Sequence, residues 1–106
     1  MNATLNDFKL FEDYETKYAT ANIVIEKTFP TFFGDSLHKI TLHLRFDEHG
    51  FDIEENLIEY FSLPMNMHEQ PDSDDFLTQE QLAQVQKMPE VAKLIEQFEE
   101  MALESA

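Results

Sequence analysis

The chain lacks whole classes of residue, and each absence excludes a kind of chemistry. None of its 106 residues is a cysteine, which excludes disulfides, thiolate zinc sites and cysteine nucleophiles. Only two glycines occur, Gly34 and Gly50, so the usual glycine-rich loops that cradle phosphates cannot form. No serine lies in a nucleophile-elbow context. The sequence therefore contains no recognised catalytic motif, and it predicts neither an enzyme nor a bound cofactor.

Long apolar runs are missing as well. No stretch approaches the roughly 18 apolar residues needed to cross a bilayer. No apolar segment follows a basic N-terminus, which argues against a cleaved secretory signal. The length is close to the usual size of a single domain. We therefore expect one domain over residues 1–106, in a soluble cytoplasmic protein with no membrane partner.

Positive charge is scarce and unevenly placed. Seven Lys and Arg face 22 Asp and Glu, for a net charge of −15. Residues 1–45 hold six acidic and five basic side chains, and residues 87–106 hold five and two. Residues 46–86 hold eleven acidic side chains and no Lys or Arg. Self-repulsion in such a block costs stability, so this central acidic block needs a physical explanation.

The N-terminal half reads as strands. Apolar residues at every second position from Ile40 to Phe46 predict a strand over Leu37–Phe46. Thr20–Phe29 is also rich in β-forming residues, and the segment between the two contains Pro30 and Gly34, as expected for a loop. The first 18 residues fit either a helix or an edge strand. A strand is preferred there because two strands alone make a marginal sheet.

After Gly50 the apolar spacing changes to that of a helix. Asp52 followed by Glu55 resembles a capping box and predicts the start of a helix. Pro64 is expected to end this helix. One side of this predicted helix is apolar (Ile53, Leu57, Ile58, Phe61), and the other is acidic (Glu54, Glu55, Glu59).

The C-terminal third predicts a loop and then helices. Pro64–Asp75 contains two prolines and four acidic residues and is expected to be a loop. Thr78 with Gln81 is a second capping box, and Pro89 suits the first turn of a last helix. That helix has a clean apolar stripe: Val91, Leu94, Ile95, Phe98, Met101 and Ala102. The predicted fold is α+β, with a small antiparallel meander of about three strands and two or three helices packed on one face.

Metal and acid–base sites find little support. The run Asp72–Asp75 resembles the start of a calcium loop, but the later ligand positions of an EF-hand are not filled. The four histidines (His38, His43, His49, His68) show no metal-ligand spacing. No metal site is predicted. A divalent-metal-dependent hydrolase with a carboxylate pair stays a remote alternative.

The acidic block favours a basic protein partner. Direct binding to nucleic acid is disfavoured, because phosphate contacts come from Lys and Arg. On a helix, Glu55 and Glu59 would lie about 6 Å apart, the same scale as phosphates along a nucleic-acid strand. Carboxylates so spaced suit Arg and Lys that otherwise bind phosphates. The candidate partner-binding residues are Asp47, Glu48, Asp52, Glu54, Glu55, Glu59, Asp72, Asp74 and Asp75.

The length, acidity and α+β layout resemble in type the small acidic inhibitor proteins of bacteria and phages. These include toxin-immunity proteins, nucleic-acid mimics and some anti-CRISPR proteins, which share no single fold. The acidic block, together with this similarity of type, predicts a non-catalytic inhibitor that occludes a basic nucleic-acid-binding or active-site surface, in a nuclease or a nucleic-acid-binding complex.

Two other interpretations stay open. The acidic residues can be the solvated face of an amphipathic helix that serves solubility alone. Alternatively, the chain is an adaptor or resembles a secretion chaperone, and binds through apolar surface or forms a homodimer. The residues for that mode are Phe29, Phe32 and Phe33, Met65 and Met67, and the last helix; core packing is the competing role for each.

Overall fold

A computed structural model describes residues 2–31, 34–62 and 70–104. Five strands form one antiparallel sheet in the order β1-β2-β3-β4-β5, and two helices follow. The strands are β1 Asn2–Glu12, β2 Lys17–Thr31, β3 Gly34–Asp47, β4 Gly50–Ser62 and β5 Ser73–Asp75. The helices are α1 Gln79–Lys87 and α2 Pro89–Glu104. At about 3.3 Å per residue the long strands span 45–50 Å, which accounts for the longest dimension of 53 Å.

The predicted meander of about three strands is wrong, because the sheet has five. The α+β class is correct. The main error is the helix predicted from Asp52: this segment belongs to β4, which pairs with β3 from Gly50 to Ser62. Ile53 and Ile58 belong to the core-facing side of the strand, whereas Leu57 and Phe61 take the other side. Both sides of β4 carry apolar residues, and this mimicked a helical stripe. Pro64 lies outside the described residues.

The loop predicted over Pro64–Asp75 is also partly wrong. Within its described part, Ser73–Asp75 forms β5, which pairs with Ile58, Glu59 and Tyr60 of β4. All three residues of β5 are exposed, so the segment carries no apolar alternation that would reveal a strand.

Several predicted elements are confirmed. The strand preferred for the first residues is β1, and the two alternating segments lie within β2 and β3. Thr78 caps α1 through its Oγ1, which accepts from the backbone N–H of Gln81 at 3.1 Å, while the Gln81 side chain accepts from the N–H of Thr78 at 3.0 Å. Pro89 begins α2, as expected for a residue without an N–H to satisfy.

The two helices cover one face of the sheet, which we call the covered face. α2 packs against β1 and β2, and α1 packs against α2. Strand alternation brings every second residue of β2 and β3 to this face, where Ile23, Leu42 and Leu44 are fully buried. The helices close this core with Val85, Val91, Phe98 and Ala102. Neither described helix packs on the opposite face, which we call the open face.

A bulge in β1 aims an aromatic ring into this core. The register of β1 against β2 shifts between Asn6 and Lys9, and Asp7 within it has a left-handed φ of 57°. Aspartate is among the few residues other than glycine that tolerate this conformation. The following Phe8 packs edge-on against Phe98, with ring centroids 6.0 Å apart.

No helix in the described part of the chain is long and apolar enough to cross a membrane.

Phe98 is the side chain on which the core depends most. It is fully buried and contacts the rings of both Phe8 and Phe51. We expect Phe98→Ala to lower the free energy of unfolding by about 3–5 kcal/mol, through lost burial and the cavity left behind. Urea denaturation followed by circular dichroism measures this. Leu103→Ala is the control on the same helix, because Leu103 is 61% exposed; an equal loss in both variants would contradict this account of the core.

Candidate functional site

A bulge in β4 decides which way its carboxylates point. Leu44 pairs with Ile53 and His43 pairs with Glu55, so Glu54 is the extra residue in the register. The extra residue reverses the alternation of side chains along β4. Asp52 before the bulge and Glu55 and Glu59 after it therefore all lie on the open face. Without the extra residue, Asp52 and Glu55 would point to opposite faces.

The register places the acidic residues opposite Arg45, Lys39 and a histidine of β3. Asp52 lies opposite Arg45, Glu55 opposite His43, and Glu59 opposite Lys39. Residues 39, 43 and 45 share one side of β3, because side chains alternate along a strand. Their partners therefore share that side too. The bulged Glu54 contacts this side as well, with its carboxylate 3.5 Å from the His43 ring and 3.4 Å from the Arg45 guanidinium.

β5 extends the acidic surface beyond β4. Asp74 pairs directly with Glu59. The two carboxylates therefore project from neighbouring strands, whose backbones lie about 4.8 Å apart. Like charges placed directly opposite each other destabilise a sheet. On β3, Lys39 lies opposite Glu59, and on β2 Glu26 lies opposite the same lysine. The row across the four strands therefore contains one cation, Lys39, and three acids: Glu26, Glu59 and Asp74.

Four of the predicted residues hold their charge outward without a partner. Within the described ranges, Asp52, Glu55, Glu59 and Asp74 make no side-chain hydrogen bond and no ion pair within 4.0 Å. Together with Glu54 they form what we call the acidic face: Asp52, Glu54, Glu55, Glu59 and Asp74.

The other four predicted residues lie elsewhere. Asp47 and Glu48 lie at the β3–β4 turn, beside the acidic face. Asp72 binds the backbone N–H of Ser62 at 2.8 Å and also accepts from its hydroxyl group. Asp75 pairs with Ile58, on the side opposite to Asp74, and accepts from the N–H of Phe76 at 2.8 Å. Asp72 and Asp75 therefore hold local backbone structure.

The distance argument made for a helix is wrong. Glu55 and Glu59 are four residues apart on a strand, so they lie about 13 Å apart along the chain rather than about 6 Å. Short spacings arise instead across strands, as between Glu59 and Asp74, and around the bulge. The acidic face is therefore a two-dimensional array on a rigid sheet, and not a single line of charges.

Arg45 is held inside the protein's own network. Its Nε donates to Asp47 at 3.1 Å, and its guanidinium lies 4.1 Å from the ring centroid of Tyr18. The hydrogen bond to Asp47 raises the pKa of Arg45 most, although partial burial opposes this. Since Asp47, Glu54 and Tyr18 share this one cation, Arg45 does not neutralise the rest of the acidic face.

A polar chain crosses four strands on the open face. Asn22 donates its amide to Asp7 at 3.3 Å, and the Asn22 oxygen lies 2.8 Å from Nδ1 of His43. A carboxylate only accepts hydrogen bonds, so Asp7 fixes the orientation of the Asn22 amide, and Nδ1 of His43 is the donor to its oxygen. Nε2 of His43 faces Glu54 at 3.5 Å.

Sequence reasoning did not identify Asp7 and Asn22. They come together only through the pairing of β1, β2 and β3, and no local motif marks them. His43 joins this polar chain on the open face, whereas His38 contacts Phe29 and Tyr60 from the other side of β3.

The apolar groups considered for partner binding fall into different places. Val91, Phe98 and Ala102 of the last helix are buried in the core. Phe29 is half-buried against His38, with ring centroids 4.4 Å apart. The remaining members lie outside the described residues: Phe32, Phe33, Met65 and Met67. In the part of the chain that the structure describes, no group of three or more His, Asp or Glu is arranged to hold a metal ion.

Asp47 gives the site a testable pH dependence. Its carboxylate accepts from the N–H of His49 at 2.8 Å; this bond is the largest cause of a pKa below the ordinary value, and Arg45 adds to it. A lowered pKa means that the ionised form stabilises the fold above the ordinary carboxyl pKa. This stabilisation is lost as the pH falls through the lower pKa of the folded state.

We therefore expect Asp47→Asn to unfold at lower urea concentration than the wild type at about pH 7 and to match it at about pH 2. Asp52→Asn is the control, because it removes the same charge without removing a hydrogen bond. It is expected to be as stable as the wild type or slightly more stable. A deficit in Asp47→Asn that persists unchanged at low pH would contradict the assignment.

Comparisons with known proteins return no relative of this chain. No family model matches it, no curated protein matches it, and no solved structure matches it.

Proposed function

We propose that this protein is a non-catalytic acidic inhibitor. Its acidic face covers a basic surface of a partner protein, either a nucleic-acid-binding surface or the active site of a nuclease. The observation that carries the proposal is a set of four carboxylates on the open face that have no partner among the described residues: Asp52, Glu55, Glu59 and Asp74. The cell compartment that fits this role is the cytoplasm, where the nucleic-acid-binding enzymes of bacteria and phages act.

The energetic cost of the arrangement supports this proposal. A sheet gains stability from opposite charges across strands, yet Glu59 and Asp74 lie directly opposite each other. Acidity that served solubility alone would be equally effective on α2, without cross-strand repulsion. An external cationic surface would remove the repulsion, so part of the cost of folding would be recovered on binding.

The rigidity of the sheet favours recognition of Arg and Lys built for phosphates. β4 is paired with β3 along its whole length, which fixes the backbone from which these side chains project. Guanidinium groups bind carboxylates in the same bidentate manner as phosphates. Little conformational entropy of the inhibitor's backbone is then lost on association.

Long-range attraction adds speed to this recognition. A net charge of −15 steers a basic partner toward the molecule, and the effect weakens as salt screens it. At short range, the acidic face then determines the orientation in which the basic partner binds.

A second candidate function is an adaptor that binds through apolar surface. It is favoured by exposed apolar side chains at one end of the molecule: Leu10, Phe11, Tyr14 and Leu103. Binding of this kind resists salt, whereas occlusion by charge does not.

The test compares two variants of equal net charge. One reverses the acidic face with Glu55→Lys, Glu59→Lys and Asp74→Lys. The other reverses three exposed carboxylates of α2, on the covered side, with Glu90→Lys, Glu96→Lys and Glu100→Lys. Each protein is immobilised and exposed to a lysate of the native host at low salt, and the retained proteins are identified by mass spectrometry.

We expect the wild type and the α2 variant to retain the same basic nucleic-acid-binding protein. The face variant should bind it about a hundredfold more weakly, at about 1 kcal/mol for each of three charges. Circular dichroism and urea denaturation establish that both variants are folded. Equal binding by all three proteins would refute the proposal, and equal loss in both variants would reduce it to an effect of net charge.

A further inference from the structure

A cleft lies on the covered face beside the last described turn of α2. The cleft has a volume of about 380 Å³, near the lower end of the range for ligand pockets. Its apolar surface comes from Leu10, Ala19, Phe46 and Ala102. Ala102 is buried, whereas Leu103 and Glu104, the described residues that follow it in α2, are exposed.

The apolar surface here is incompletely buried. Leu10 is 54% exposed although it lies on the covered side of β1, opposite the buried Ala19. Leu103, next to Ala102, is 61% exposed. In the middle of the covered face, by contrast, Ile23, Leu42 and Leu44 are fully buried in the core that the helices close. An apolar side chain placed in the cleft would remove this surface from water.

The rim of the cleft is acidic. Among the residues that line it, the acids are Glu12, Glu15, Asp47 and Glu48, and Lys17 is the one Lys or Arg. Lys17 lies 3.5 Å from Glu12 and is engaged by that pair. α2 adds to the negative potential, because its C-terminal end has no basic residue in the last turn and helix C-termini carry partial negative charge.

We infer that this cleft is a docking site for a segment of a basic protein partner in which one apolar side chain is flanked by Arg or Lys. The apolar floor takes the anchor, and Glu15 and Glu48 face the flanking cations. Asp47 is the last residue of β3 and Glu48 begins the turn into β4, so these two residues lie between the cleft and the acidic face. The inference rests on the proposed function for its basic partner, but its own chemistry is tested separately.

Three blocked tripeptides serve as probes in a titration followed by amide NMR. They are acetyl-Arg-Phe-Arg-amide, acetyl-Arg-Ser-Arg-amide and acetyl-Glu-Phe-Glu-amide. We expect only the first to shift the amide signals of Leu10, Ala19 and Ala102 saturably. Leu10→Ser should weaken this binding about tenfold, which corresponds to part of the burial energy of a leucine.

Two further variants keep the result interpretable. Glu48→Gln changes an exposed side chain of the rim and cannot disturb the core; it should weaken binding of the Arg-Phe-Arg peptide. Phe76→Ser removes an exposed aromatic ring outside the cleft, and it should leave that binding unchanged.

The outcomes separate this inference from the proposed function. If both arginine peptides bind equally and shift only residues of β4, the docking site is refuted while the acidic face stands. If the glutamate peptide binds as well as the arginine one, the charge complementarity is refuted. If dilution shows that a second copy of the chain occupies the cleft, the basic-partner assignment is refuted. If the cleft responds as expected but reversal of the acidic face leaves partner capture intact, the proposed function fails and the docking site remains.

Discussion

The structure depends on the packing of α2 against one face of the sheet. Phe98, at the centre of that helix, meets Phe8 of β1 and Phe51 of β4, so a single side chain links the helix to both ends of the strand order before β5. Once this face is covered, strand alternation decides the environment of nearly every other side chain. The charged residues of β3 and β4 are left on the open face because the core occupies the other one.

The bulge at Glu54 is the second feature that determines where the carboxylates of β4 lie. It changes the phase of β4, so Asp52 before it and Glu55 and Glu59 after it share one face. The same extra residue contacts His43 and Arg45, and it thereby engages the guanidinium that lies opposite Asp52. A single inserted residue thus both gathers the carboxylates and reduces the positive charge available to them.

Much of the fold could be predicted from local signals. The alternation from Ile40 to Phe46, the Thr78–Gln81 capping box and the stripe of α2 each depend on neighbours in sequence, and each predicted its element correctly. β4 could not be recognised in this way. The bulge interrupts its alternation, and Ile53, Leu57, Ile58 and Phe61 coincide with helical spacing although they point to both sides of a strand. β5 has three exposed polar residues and is defined only by its pairing with β4.

The candidate site was predicted in composition but not in geometry. Residues 46–86, which contain no Lys or Arg, supply all five residues of the acidic face. The array itself depends on the register between strands, which also brings Asp7, Asn22 and His43 together. The cleft at the end of α2 depends on where the helix stops relative to the sheet. No local pattern in one sequence determines the register between strands or the position of a helix end relative to the sheet.

The claim that joins these observations is that the protein occupies a surface on which its partner binds nucleic acid. It is tested most directly by competition at constant ionic strength. The complex captured from host lysate on the immobilised wild-type protein is challenged with double-stranded DNA, with RNA, and with an equal ionic strength of sodium chloride. The account predicts that a nucleic acid releases the partner at a concentration where the salt alone does not. A partner that stays bound, and that takes up nucleic acid while still attached to this protein, would contradict it.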